Sequence, residues 1–112
     1  METKEILAAL AALAQESRLR AFRLLVQTGP EGLAATKIAE HLGIAPSSLS
    51  FHLKELAHAG LVIARQDGRF VIYSANFDTM NGLLCFLTDN CCGGAPCAPA
   101  AGVACTPQPA LA

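Results

Sequence analysis

Four cysteines crowd the last 22 residues of this 112-residue chain, at positions 91, 92, 97 and 105, and a fifth, Cys85, lies just before them. The stretch CCGGAPCAPAAGVACTPQPALA holds no histidine and no charged side chain. An ion bound there would see sulfur nearly alone, and thiolates select soft, thiophilic metals. A tetrahedral zinc or cadmium site would want four ligands, which Cys91, Cys92, Cys97 and Cys105 could supply together. The same thiols could instead report on oxidation, with Cys91 or Cys92 bridging to Cys97 or Cys105. Cys91 and Cys92 are neighbours, so the chain must leave a helix there to aim both sulfurs at one ion. Gly93 and Gly94 allow that turn and let Cys97 swing back. Cys85 reads as a small interface hydrophobe rather than a ligand.

A second set of residues suits nucleic acid. In PSSLSFHLKELAHA, Leu49, Leu53 and Leu56 recur at helical spacing and form a core stripe. The helical wheel then turns Ser47, Ser50, Phe51, Lys54 and His58 outward, with Ser48 beside them and His52 close to the stripe. Hydroxyls near a helix N-terminus can meet phosphates and base edges in a groove, and an outward Phe51 could touch a thymine methyl. Lys37, Arg65 and Arg69 could anchor phosphates from neighbouring elements. Bland roles compete: Ser47 or Ser48 could cap the helix, His52 could be a packed histidine, and His41 could be merely solvated. Residues 36 to 73 carry a net charge of only +1, thin for a monomer on DNA although two copies double it.

The elements that must position these groups follow from the periodicity. Helices are expected over about Thr3 to Ala14, with Ile6, Leu10 and Leu13 on one side, and from Glu16 or Ser17 to Thr28, with Leu19, Phe22, Leu25 and Val26 buried. The second stops at Gly29-Pro30. A short helix, Thr36 to Leu42, ends at Gly43 in an expected left-handed cap, and a fourth starts with Pro46 in its first turn. Leu61 to Arg65 and Phe70 to Ser74 read as strands around Gln66-Asp67-Gly68-Arg69, a hairpin signal. A last helix is expected from Phe77 to Asn90, with Phe77, Met80, Leu83, Leu84 and Leu87 on one side. A short helix, a Gly-containing turn, a second helix and a hairpin make a winged helix-turn-helix. The fold class is therefore mainly α with a small β-hairpin wing. Residues 1–90 form the DNA-binding and dimerisation domain, and residues 91–112 a flexible thiol-bearing tail.

At this point SSLSFHLKELAHAGLVIARQDGRFVIYSA resembles the ArsR/SmtB family of winged-helix repressors. The residues that carry the likeness are Ser50, His52, Leu53, Leu56, Ala59, Gly60, Leu61, Val62, Gly68 and Tyr73, and SRLRAFRLL resembles the family's second helix. The likeness runs from about Ala8 to Leu87. It implies a homodimer, joined through its first and last helices, that binds double-stranded operator DNA and releases it on binding a metal or metalloid. Two sensor sites of the family are missing: Thr36 to Leu42 holds no cysteine, and Phe77 to Asn90 holds no histidine and only Asp78 and Asp89 as acids. The thiol set instead resembles arsenic-responsive members whose cysteines lie just beyond the last helix. As(III) keeps a lone pair and takes three thiolates in a pyramid, so Cys91, Cys92 and Cys97 fit it, or Sb(III), without a missing partner.

Composition excludes other classes. The chain is 53% hydrophobic, 15% charged and of net charge −1, which is not the make-up of a disordered protein. The longest apolar run, Ile6 to Ala14, is nine residues against about 20 needed to span a bilayer, so no membrane association is expected. That run after Lys4 could pass for a secretion signal, but Glu2 and Glu5 sit in its leading segment, and a cytoplasmic location is expected. An enzyme is not expected: a thiol phosphatase or reductase needs a phosphate-cradling loop with an arginine soon after its cysteine, and no Arg or Lys follows Arg69. A metal-sequestering protein would not need the wing, and a winged helix used only for protein contacts is the remaining class.

Overall fold

A computed structural model describes residues 1–94. Its first helix, α1 (Thr3–Leu13), is started by reciprocal bonds between Glu2 and Glu5, the Glu2 N–H donating to Glu5 Oε1 at 2.9 Å. Helix α2 (Glu16–Thr28) begins where the Gln15 side chain accepts the Arg18 N–H at 3.0 Å. It stops at Gly29, whose φ of 101° few other residues would adopt. Strand β1 (Leu33–Ala34), α3 (Ala35–Leu42), α4 (Pro46–His58), β2 (Val62–Asp67), β3 (Phe70–Ala75) and α5 (Phe77–Thr88) follow, and a tight turn spans Cys91–Gly94. Gly43 takes the left-handed cap expected of it, with φ 67° and ψ 34°.

The helix-turn-helix is α3, the turn at Gly43 to Ala45, and α4, and the wing is β2–β3. Two details differ from expectation. Gln66 and Asp67 continue β2, pairing with Val71 and Phe70, so the wing loop is only Gly68-Arg69. The sheet also has a third strand, in the order β1-β3-β2, because Leu33 and Ala34 pair antiparallel with Tyr73 and Ile72. Two residues carry no readable alternation, so this strand shows no sequence signal. What admits it is Gly32: φ is 73°, and a Cβ there would collide with the Tyr73 carbonyl oxygen.

The core gathers on α2, α3 and α4, with Leu25, Ile38, Leu49, Leu53, Leu56 and Leu61 fully buried. The α4 stripe is as expected. On α2, by contrast, Leu19 is 43% exposed and Ala21 takes the inner place beside Phe22 and Leu25. On α1 the inner residues are Ile6, Ala9 and Ala12, with Leu10 outside. Small side chains on the inner face let α1 approach its neighbours closely and leave Leu7 and Leu10 turned outward, while Leu13 packs partly buried against the core. Helix α5 buries Leu83, half-buries Phe77 and Met80 against the core, and leaves Leu84 and Leu87 exposed. It ends two residues earlier than expected.

Candidate nucleic-acid interface and thiol cluster

Burying Leu49, Leu53 and Leu56 fixes the rotation of α4 about its axis and thereby decides what the opposite face presents. Ser47, Ser48, Ser50, Phe51 and Lys54 are all exposed, Phe51 by 57%, and His52 is half-buried at the edge. The N-cap residue of α4 is Ala45, which makes no side-chain cap bond. The first-turn N–H groups therefore retain their positive end of the helix dipole beside two hydroxyls, an arrangement suited to phosphate. The capping role considered for Ser47 and Ser48 does not arise at that N-cap.

The flanking cations are distributed unevenly. Arg69 sits exposed in the two-residue wing loop after Gly68, whose φ is 63°. Lys37, on α3, lies 3.7 Å from Glu40 with both side chains more than 60% exposed, an ion pair of little strength. Arg65 is engaged within the chain: its Nη2 donates to the Glu31 carbonyl at 3.0 Å, tying the wing to the turn before β1. Two arginines not singled out from the sequence also belong to this region. Arg20 donates from Nη2 to the Leu42 carbonyl at 3.1 Å, steadying the end of α3 next to the helix-turn-helix turn. Arg18 donates from Nη1 to His52 Nδ1 at 3.2 Å and from Nε to the Ala12 carbonyl at 2.7 Å. Its partner lies 34 positions away, so no local spacing points to it.

The thiols stand at the far end of α5. The helix closes at Thr88, Asn90 turns left-handed at φ 56°, and Cys92 does so again at φ 58°. These two turns bring Cys91 Sγ to 3.7 Å from Cys92 Sγ, with both residues exposed. Two thiolates on one zinc-sized ion, at about 2.3 Å each in a tetrahedron, sit roughly 3.8 Å apart. With Cys92 reduced, the pair would have the spacing and the all-sulfur donor chemistry of half a thiophilic site. Cys85 is half-buried within α5 but is not the plain interface hydrophobe expected, since both Cys85 and Cys92 are disulfide-bonded. Cys97 and Cys105 lie outside the described residues, and among the described residues no group of three or more His, Cys, Asp or Glu could hold an ion.

Comparison with known proteins places this geometry among regulators. Residues 13–64 match a family described as a helix-turn-helix domain. Over 73 residues the chain is 37% identical to the uncharacterized HTH-type transcriptional regulator YceK of Bacillus subtilis, covering 65% of this chain and 72% of that protein. It is also 37% identical over 73 residues to a Halobacterium salinarum protein with the provisional name of arsenical resistance operon repressor ArsR. That match covers 65% of this chain and little more than half, 54%, of that one. Among solved structures, the homodimeric winged helix-turn-helix DNA-binding domain of a Mycobacterium bovis protein superposes with a TM-score of 0.63. It is 26% identical, over 82% of this chain and 85% of that one.

Proposed function

This chain belongs to the ArsR/SmtB family of winged helix-turn-helix transcriptional regulators, and from that premise we propose that it is a cytoplasmic repressor which binds operator DNA as a homodimer and is released by As(III), or Sb(III), at Cys91, Cys92 and Cys97. The observation that carries the reading is the pair of adjacent cysteine sulfurs held 3.7 Å apart at the end of α5, a two-thiolate donor set once Cys92 is reduced. Helix α5 also leaves Leu84, Phe86 and Leu87 exposed, and α1 leaves Leu7 and Leu10 exposed, the apolar surface from which a dimer seam is made.

In this reading Ser47, Ser48, Ser50, Phe51, His52 and Lys54 meet the major groove, while Lys37 and Arg69 hold phosphates on either side. The metalloid supplies bonds to reduced thiolates. Cys91 and Cys92, joined by Cys97, gather at the end of an interface helix, and α5 shifts against its counterpart. The two α4 helices then no longer match half-sites one DNA turn apart. A coupling of a few kcal/mol is enough for this, since about 5.5 kcal/mol inverts a 99:1 population.

The test is operator release in reducing buffer, read by fluorescence anisotropy. Arsenite should displace the wild-type protein, while Cys91→Ser and Cys92→Ser should bind DNA normally and ignore arsenite. Serine variants that still let go on arsenite addition would sink the site assignment. A second reading, a thiol redox sensor, is favoured by the disulfide-bonded state of Cys85 and Cys92. It predicts release by an oxidant alone, with no metalloid present. A Cd(II) and Zn(II) arm in the same titration distinguishes a four-thiolate site from a three-thiolate one.

A further inference from the structure

Arg18 joins three helices through one side chain. Its backbone N–H is held by Gln15 Oε1 at 3.0 Å, its Nε donates to the Ala12 carbonyl at the end of α1, and its Nη1 reaches His52 on α4. Guanidinium has five N–H donors and no acceptor, and it stays protonated. The 3.2 Å contact is therefore a hydrogen bond only if His52 Nδ1 carries the lone pair. In the neutral ring the proton must then sit on Nε2. Phe51 meets the His52 ring edge-on at 5.6 Å between centroids and restricts its plane. His52 is half-buried on the helix that also presents Ser50, Phe51 and Lys54. A wrong tautomer at that position would offer DNA a lone pair where its phosphates and guanine edges also offer lone pairs.

We infer that Arg18 is a positioning residue for DNA recognition: it locks His52 in the Nε2–H tautomer, so that α4 presents a hydrogen-bond donor to an acceptor on the operator. The inference rests on the DNA-binding reading above and assigns that reading a residue outside the helix-turn-helix. Arg18 itself need not touch DNA. Its work is done through the ring nitrogen it occupies.

Long-range 1H–15N correlation of the full-length, reduced, DNA-free protein reads the tautomer directly. Wild type should show His52 protonated at Nε2. Arg18→Met should show a mixture of tautomers and should bind a duplex, selected by the wild-type protein from a randomised pool, more weakly by the factor that the remaining Nε2–H fraction sets, about twofold for equal populations. Arg18→Lys, which keeps a donor, should retain the Nε2–H signature and most of the affinity. His52→Ala, which removes the donor altogether, should weaken binding by more than Arg18→Met does, and the double variant Arg18→Met/His52→Ala should be no weaker than His52→Ala alone. Relaxed base preference at one position in His52→Ala identifies a base edge as the acceptor, and a uniform loss identifies a phosphate. An unchanged tautomer or an unchanged affinity in Arg18→Met overturns the inference. If the wild-type protein selects no duplex, the DNA-binding reading itself falls, and the tautomer comparison still decides what Arg18 does to His52.

Discussion

Lys54 stands exposed one turn beyond Ser50, on the side of α4 away from the buried leucines. Replacing it with alanine should leave the unfolding free energy within about 0.5 kcal/mol, because nothing buried depends on it. It should also reduce the slope of log affinity against log salt by about one unit, the signature of one lost phosphate contact. A slope identical to wild type would remove Lys54 from the interface. At this scale the sequence is read well wherever a side chain's direction follows from local periodicity: the outward set on α4 came directly from the spacing of Leu49, Leu53 and Leu56. It is read poorly where a partner comes from another element. Arg18 and His52, or Arg65 and the Glu31 carbonyl, meet only because distant helices and turns pack together.

Helix α4 is held by its leucine stripe, and the face it leaves outward is a consequence of that packing. Leu53 is fully buried, so Leu53→Ala should cost about 2–5 kcal/mol. For a domain of this size that lowers Tm by roughly 4–8 °C per kcal/mol, measurable by calorimetry. Loss of operator affinity should follow loss of folded protein and not precede it. The ends of elements were legible where chemistry marks them, as at Gly29, Gly43, Pro46 and Gly68. They were not legible where only tertiary pairing marks them. β1 exists because Gly32 lets its backbone approach Tyr73, and β2 runs on through Gln66 and Asp67 because β3 supplies partners for both.

At the scale of the whole chain the exposed leucines of α1 and α5 should lie in a seam between two copies. The two helices pack on each other within the chain, where the Met1 sulfur lies so close over Gly82 that an added Cβ would come within 2.8 Å of it. Leu7 is 61% exposed and Leu87 57%. A Leu7→Glu/Leu87→Glu variant should keep its helical content and weaken self-association by roughly a hundredfold or more, since charge would be buried without a partner. Sedimentation equilibrium checks this, and an unchanged dimer would place the seam elsewhere. DNA affinity should fall with it. The chain carries a net charge of −1, so in the proposed dimer DNA binding should depend on two local patches acting together and not on bulk attraction.

The sequence by itself determined the winged helix-turn-helix, the face that α4 presents, and the gathering of soft thiols after the last helix. Each of these is encoded by residue types at short, regular spacing, where backbone geometry alone sets direction. Only the tertiary structure decided that Ala9 and Ala12, not Leu10, face inward on α1, and that a third strand joins the wing. It also decided that Arg18 holds the His52 imidazole on α4 and that Cys91 and Cys92 point their sulfurs to within 3.7 Å. These depend on close packing and on backbone turns such as those at Asn90 and Cys92, whose outcome is set by everything around them.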